Sequence, residues 1–210
     1  MQIAIVLYPG FTALDVVGPY EVLGRLPGAE VVFVAEHPGL VVNDLGSLSI
    51  SAVAGLDAVT KPDIVVIGGG PGQVHQMEDG TLHDWLRAVD QTTTWTMSVC
   101  TGSLILAAAG LLKGRRATTH WLALEQLREF GATPTAERVV VDGKYLIGAG
   151  VSAGIDAALT LAGRIAGDDV AQAVQLIIEY DPRPPYSSGS AATAPESVVR
   201  DVKEMLGGRR

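Results

Sequence analysis

Cys100 is the only thiol in this chain of 210 residues. A single cysteine cannot close an intrachain disulfide, so a secreted disulfide scaffold is excluded. A cysteine-based zinc site would have to gather three ligands of other kinds around one sulfur. Charge is also scarce: 18% of residues are charged and 48% are hydrophobic, the composition of a compact globular protein and not of a disordered one. Basic residues are the minority charge, 15 Lys and Arg against 23 Asp and Glu, so the surface as a whole repels phosphate backbones and nucleic acid is not an expected partner. Long apolar runs are missing as well. The stretch "LILAAAGLL" is about half of what a membrane span requires, and the opening "MQIAIVLYPG" has neither the basic stretch nor the cleavage-like tail of an export signal. The expectation is a soluble cytoplasmic protein without a membrane partner.

What the chain does contain is a repeated alternation. Short aliphatic runs, "QIAIVLYPG", "VVFVAEH" (31–37), "DIVVIGGG" (63–70) and "TWTMSVCTG" (94–102), have the form of strands buried on both faces. Segments of helical pattern separate them, "PYEVLGRL" (19–26) and "TLHDWLRAVDQ" (81–91) among them. Strand alternating with helix predicts an α/β fold, a parallel sheet flanked by helices on both faces. Two short runs around Asp142-Gly143 predict a small antiparallel hairpin, and residues 43–52 a second antiparallel excursion. "SAGIDAALTLAGRIAG" and "DDVAQAVQLIIEY" follow as consecutive helices, with Gly167-Asp168 ending one and starting the next. From Asp181 the composition turns to Pro, Ser and Gly. The division expected is an α/β domain over 1–181 and, over 182–210, an arm and a short helix with Pro195 in its first turn.

In open parallel sheets ligands bind beyond the carboxyl ends of the strands, and three features fall there. Cys100 lies between a strand-like and a helix-like run, with the small residues Gly102 and Ser103 after it. It is either a small buried hydrophobe or a nucleophile in a sharp turn, and its place at the start of the helix "TGSLILAAAGLL" favours the second, since a helix N-terminus lowers a thiol pKa. The run "IGGGPG" (67–72) exposes backbone N–H groups that can cradle an anion, or is simply a tight turn; it lacks both the phosphate-loop ending and the dinucleotide spacing. Asp15, in "TALDVVGPYEVL", is either a cap ahead of a helix begun by Pro19 or a carboxyl reaching the thiol to exchange a proton. His120, in "RRATTHW", could serve Cys100 as a base or merely stand beside Trp121 at a helix start. His37, His75 and His83 show no ligand spacing, so neither a metal nor a cofactor is expected.

Taken together, "LYPGFTALDVVGPYEVL", "VIGGGPG", "SVCTGSLILAAAGLLKGRRATTHW" and "GAGVSAGIDAALTLAGRIAG" resemble the DJ-1/PfpI superfamily, and within it the branch that hydrates isocyanides. The resemblance runs to about Pro195. It implies a flavodoxin-like fold, a homodimer, and conversion of a small-molecule isocyanide into an N-substituted formamide through a Cys100 thioimidate. By position it implies Cys100 as nucleophile, Asp15 as its carboxyl partner, Thr101 beside the thiol, and the N–H groups of Gly70 and Thr101 as an anion-stabilising pocket. Thr101 stands where the protease-like branch has a histidine, which argues against peptidase activity. A glyoxal-type carbonyl enzyme of the same fold, or a thiol sensor or binding module such as the sensory half of transcription regulators, remain alternatives.

Overall fold

A computed structural model describes residues 1–207 of the chain, and residues 208–210 lie outside the described part. The chain divides into two compact units, Met1–Ile178 and a second beginning at Glu179. The first unit runs β1 (Gln2–Val6), α1 (Ala13–Leu23), β2 (Glu30–Ala35), β3 (Gly39–Val42), β4 (Ser49–Ala52), β5 (Ala54–Gly55) and β6 (Ile64–Ile67). It continues through α2 (Gln73–Gln76), α3 (Thr81–Asp90), β7 (Trp95–Val99), α4 (Gly102–Ala108), β8 (Arg116–Ala117) and β9 (Thr133–Pro134). β10 (Val139–Asp142), β11 (Tyr145–Gly148), α5 (Ala153–Ala166) and α6 (Asp168–Ile177) complete it. The second unit holds α7 (Glu196–Gly207), which starts directly after Pro195. Among the described residues no helix is long and apolar enough to cross a membrane.

Seven strands form the main sheet in the order β10-β11-β7-β6-β1-β2-β5, and every neighbouring pair is parallel except β10–β11. This is the parallel sheet flanked by helices that the alternation predicts. β6, "IVVI", is buried at every position, as a strand covered on both faces must be. From β1 the chain steps to β2 on one side, then returns to β6 on the other and continues outward to β7. Parallel crossovers are right-handed as a rule, and under that rule these opposite steps put α1 and α3 on opposite faces of the sheet. α1 packs on β6 and α5, with α6 beyond, while α4 lies on β7 and packs against α3. The order therefore reverses between β1 and β6, and at such a switch point the carboxyl ends of neighbouring strands open a crevice.

Local boundaries differ from the sequence expectations in instructive ways. α1 begins at Ala13 and not at Pro19: extended Thr12 is its N-cap, Asp15 lies in its first turn, and Pro19 is interior. Pro19 removes a single N–H from the helix ladder, and packing of α1 on α5 carries the helix past it. α4 ends at Ala108, short of the expected Leu112. The hairpin loop is Gly143-Lys144 and not Asp142-Gly143: Asp142 still pairs with Tyr145, and Gly143 takes φ +60°, the left-handed conformation a two-residue turn needs at its first central position. Asp142 stays in the strand because its carboxylate accepts from the Arg116 N–H at 2.8 Å and from Arg115 at 3.3 Å. Residues 43–48 are the loop of the β3–β4 hairpin, whose strands pair antiparallel.

Gly102 offers a test of how tightly the sheet end is packed. Alanine normally stabilises a helix by about 1 kcal/mol over glycine. A Cβ at Gly102, however, would lie 2.5 Å from the Ile67 carbonyl oxygen and 2.8 Å from that of Gly68, both backbone atoms. Gly102→Ala is expected to destabilise the protein by about 1–3 kcal/mol, roughly 2–10 °C in Tm, in a thermal melt; an unchanged or raised Tm would show that the contact yields.

Candidate active site

Three strand-end loops meet at the switch point, and glycine is what lets them meet. The Gly69 carbonyl accepts the Thr12 N–H at 2.8 Å, joining the loop after β6 to the loop after β1. A Cβ at Gly68 would sit 2.8 Å from Asp15 Cβ, and one at Gly69 would sit 2.5 Å from Thr101 N and Oγ1. Gly70 adopts φ +126° with the Gly10 oxygen and Thr12 nitrogen each 2.5 Å from where its Cβ would be. The run "GGGPG" is thus needed for backbone to approach backbone.

Cys100 is one of two non-glycine residues among those described with positive φ, at +56°. A left-handed residue carrying a side chain costs about 1–2 kcal/mol and persists only where its surroundings hold it. Three hydrogen bonds do so here. The Cys100 N–H donates to the Gly148 carbonyl at 3.0 Å, at the end of the neighbouring strand β11. Its carbonyl accepts the hydroxyls of Thr119 at 2.9 Å and Ser103 at 3.2 Å. The sharp turn expected from the sequence is therefore present, and Thr119, within "RRATTHW", is one of the groups that hold it.

The turn brings Cys100, Asp15, Thr101 and Gly70 together. Asp15 is fully buried on α1; its Oδ2 accepts the Gly69 N–H at 2.7 Å. Its Oδ1 meets no nitrogen or oxygen donor, and the Cys100 thiol is the side chain with which the carboxyl interacts. Burial, with a smaller contribution from the Asp44 carboxylate, pushes the Asp15 pKa from the ordinary 3.8 to about 7, against the opposing pull of the Gly69 N–H and the thiol. The Cys100 thiol is also pushed up, first by burial and then by the Asp15 charge, while the Thr101 N–H and hydroxyl pull the other way. This reverses the lowered thiol pKa expected from the helix N-terminus. α4 has only seven residues and begins at Gly102, and its field is outweighed by desolvation and a neighbouring carboxylate. The pair therefore loses its first proton near pH 7 and keeps the second, held between sulfur and carboxylate, above that.

Of the two N–H groups expected to form an anion pocket, that of Gly70 is engaged, donating to Thr101 Oγ1 at 3.1 Å, and that of Thr101 acts with its hydroxyl on the Cys100 sulfur. The two Thr101 donors favour negative charge on sulfur, and the Gly70 N–H reaches the thiol only through the Thr101 hydroxyl.

The histidines behave differently from one another. Half-buried His120 follows Thr119, its Nδ1 accepts the Leu122 N–H at 3.4 Å, and burial lowers its pKa, keeping the ring neutral. Buried His83 donates from Nε2 to the Gln76 carbonyl at 2.8 Å, a structural tie between α2 and α3. His37 and His75 line a cleft of about 660 Å³ beside Tyr8, Leu40 and Leu82, which does not reach Cys100. Among the described residues no cluster of His, Cys, Asp and Glu could hold a metal ion. Sequence reasoning missed two polar residues of the site. Tyr8, at the end of the first strand, is buried with its hydroxyl on the Gly68 carbonyl at 2.8 Å, and its pKa is raised well above the ordinary value by burial and the Asp15 and Cys100 charges. Asp44 accepts the Thr12 hydroxyl at 2.8 Å from the hairpin loop. Tyr8 carried a signal in its position beyond a buried strand, whereas nothing in the sequence brings Asp44 to the switch point.

Fold and site define a doubly wound α/β protein with a left-handed cysteine elbow and a carboxyl partner in the first turn of α1. The chain belongs to the DJ-1/PfpI family, whose profile matches residues 1–164. It is 43% identical over 204 residues, 97% of its own length and 89% of the other's, to the isonitrile hydratase of Pseudomonas putida. It is 30% identical to the HTH-type transcriptional regulator CdhR of Pseudomonas aeruginosa over 79% of the chain but only 51% of the regulator. Among solved structures, a ThiJ/PfpI family protein from Pseudomonas syringae matches with a TM-score of 0.95 at 38% identity, covering 99% of this chain and 86% of that one. Drosophila melanogaster DJ-1beta shares the fold at a TM-score of 0.76 and 23% identity, over 85% of this chain and 97% of its own.

The raised Asp15 pKa has a consequence for stability. Between 3.8 and about 7 the folded protein retains a proton that the unfolded chain releases, so stability falls as pH rises through that window. A tenfold change in proton affinity corresponds to about 1.4 kcal/mol, which bounds the loss across the window at about 4 kcal/mol. Urea unfolding at the two ends of the window should show this decline in the wild type and a flatter dependence in Asp15→Asn; parallel curves would mean that Asp15 ionises freely in the fold.

Proposed function

We propose that the chain is an isocyanide hydratase, adding water across an isocyanide to give an N-substituted formamide. The observation that carries this reading is Cys100 in a left-handed turn with Asp15 and Thr101 at its sulfur, in a chain 43% identical over nearly its whole length to an isonitrile hydratase. An isocyanide carbon bears a lone pair and accepts a soft nucleophile, which suits sulfur better than a hydroxyl.

In this mechanism the Asp15 carboxylate takes the thiol proton as sulfur bonds to the isocyanide carbon. Asp15 then delivers that proton to the carbon lone pair, leaving the thioimidate R–N=CH–S–Cys100. Water adds to the thioimidate carbon, one of its protons going to nitrogen. The carbon–sulfur bond then breaks, the second proton returning to sulfur by way of Asp15, and R–NH–CHO leaves. The balance is one isocyanide and one water consumed and one formamide released. A carboxyl poised near 7 suits a group that must accept and return a proton in each half of the cycle. The Thr101 N–H and hydroxyl, the latter supported by Gly70, steady sulfur whenever it carries charge, as donors fixed before the reaction begins.

A second reading, a small-molecule binding module, is supported by the likeness to part of a transcription regulator. Turnover decides between them. Loss of p-nitrophenyl isocyanide and appearance of its formamide, followed by chromatography with methylglyoxal as the comparison substrate, should show isocyanide turnover that Cys100→Ala abolishes. Asp15→Asn should lose about 10²–10⁴-fold in kcat. Because the working form has Asp15 ionised, kcat/KM should rise with pH through an apparent pKa of about 7. Full activity in Cys100→Ala would sink the mechanism, and a wild type inert toward isocyanides would sink the hydratase reading. The homodimer that the family resemblance implies is proposed on the same footing: light scattering should return twice 21.9 kDa in both low and high salt, and a monomer at micromolar concentration would refute it.

A further inference from the structure

We propose that Tyr8 is a positioning residue for Asp15, acting through the Gly68–Gly69 peptide group. The Tyr8 hydroxyl donates to the Gly68 carbonyl at 2.8 Å. The N–H on the other side of that same peptide group, that of Gly69, donates to Asp15 Oδ2 at 2.7 Å. One planar unit therefore receives a hydrogen bond at its oxygen and gives one at its nitrogen, so the phenol and the carboxylate are linked through it.

Two physical effects follow. A donor on the carbonyl draws electron density toward oxygen and makes the N–H a stronger donor, with cooperative strengthening of about 10–30% per bond. The peptide group also lies between two glycines, where no Cβ resists its rotation, so its orientation depends on the groups it bonds. Turned over, it would present a carbonyl to the Asp15 carboxylate. Tyr8 holds it with the N–H toward Asp15. The groups acting on Asp15 are the Gly69 N–H, the Cys100 thiol and the Asp44 carboxylate, and the Asp15 charge in turn raises the nearby Tyr8 phenol; none of these is a cation, and of the two bonds that favour the carboxylate the Gly69 N–H contributes more. Tyr8 also lines the 660 Å³ cleft, so it stands between that cleft and the cysteine site. The relevance of Tyr8 to turnover rests on the hydratase reading, whereas the linkage itself does not.

The test reads Cys100 alkylation by iodoacetamide, followed by intact mass from about pH 5 to about pH 9, in the wild type, Tyr8→Phe, Asp15→Asn and the double variant. The wild-type rate should climb through a step near 7 as the pair loses its first proton. Tyr8→Phe should move that step upward by roughly 0.2–0.6 pH unit, the cooperative share of one charge-assisted hydrogen bond. In the Asp15→Asn background, Tyr8→Phe should shift nothing, which separates the linkage from a general loosening of the site. Site-specific 3-fluorotyrosine at position 8, a stronger donor, should move the step downward, and it carries the test if Tyr8→Phe folds poorly. A step unmoved by both replacements, or an equal shift in the Asp15→Asn background, overturns the proposal. Isocyanide turnover is measured on the same wild-type preparation: an intact, Tyr8-dependent step without turnover would remove the hydratase reading and leave the role of Tyr8 standing.

Discussion

Cys100 is held at φ +56°, a conformation its Cβ disfavours, and the architecture of the site follows from holding it there. The residue must leave β7 between two parallel neighbours and turn its sulfur toward the crevice where the strand order reverses. Its N–H is anchored to β11 through Gly148, and its carbonyl is anchored by Thr119 and Ser103. The loop after β6 passes within contact of Thr101 at Gly69, of the first turn of α1 at Gly68 and of the loop after β1 at Gly70, which excludes side chains at all three. A run of glycines that could be taken for a phosphate cradle is a consequence of this loop closing on the cysteine turn from one side and on the β1–α1 segment from the other.

The same crowding sets the electrostatics. Asp15 and Cys100 are brought together where water is excluded, and no cation is among the groups acting on Asp15. Burial raises both pKa values and the Asp15 charge raises the thiol further, so the two acids do not both ionise near neutrality and at least one proton stays on the pair. A thiol that stays protonated at rest is a weak target for oxidants and alkylating agents, since the thiolate is the reactive form. In the proposed reaction, activation is confined to the moment when the adjacent carboxylate takes the proton. Thr101 contributes on both sides of this balance: its hydroxyl accepts from Gly70 and, with its N–H, favours charge on sulfur.

How much of this was legible in the sequence depends on the range of the interaction involved. The alternation of aliphatic and amphipathic runs named the strands and the α/β class, because burial on both faces leaves a direct mark on composition. Helix starts were less legible. Pro19 has the local signature of a helix start, yet packing against α5 extended α1 back to Ala13 and enclosed Asp15 in its first turn. At 142–143 the dipeptide Asp-Gly signalled a hairpin, but the ties of Asp142 to Arg115 and Arg116 kept it in the strand and moved the turn by one residue.

From sequence alone, the identity of the nucleophile candidate, its place between strand and helix, and the strand-end origin of Asp15 and the glycine run were determined, since each follows from local pattern and chain order. Tertiary structure alone decided the protonation of the pair, the use of the Gly70 N–H by Thr101 and the entry of Tyr8, Asp44 and Thr119. Those depend on distances between groups far apart in the chain and on how much water is removed around them. A sequence carries the charges and donors of a site, whereas desolvation and hydrogen-bond partnership exist only once the loops have closed on one another.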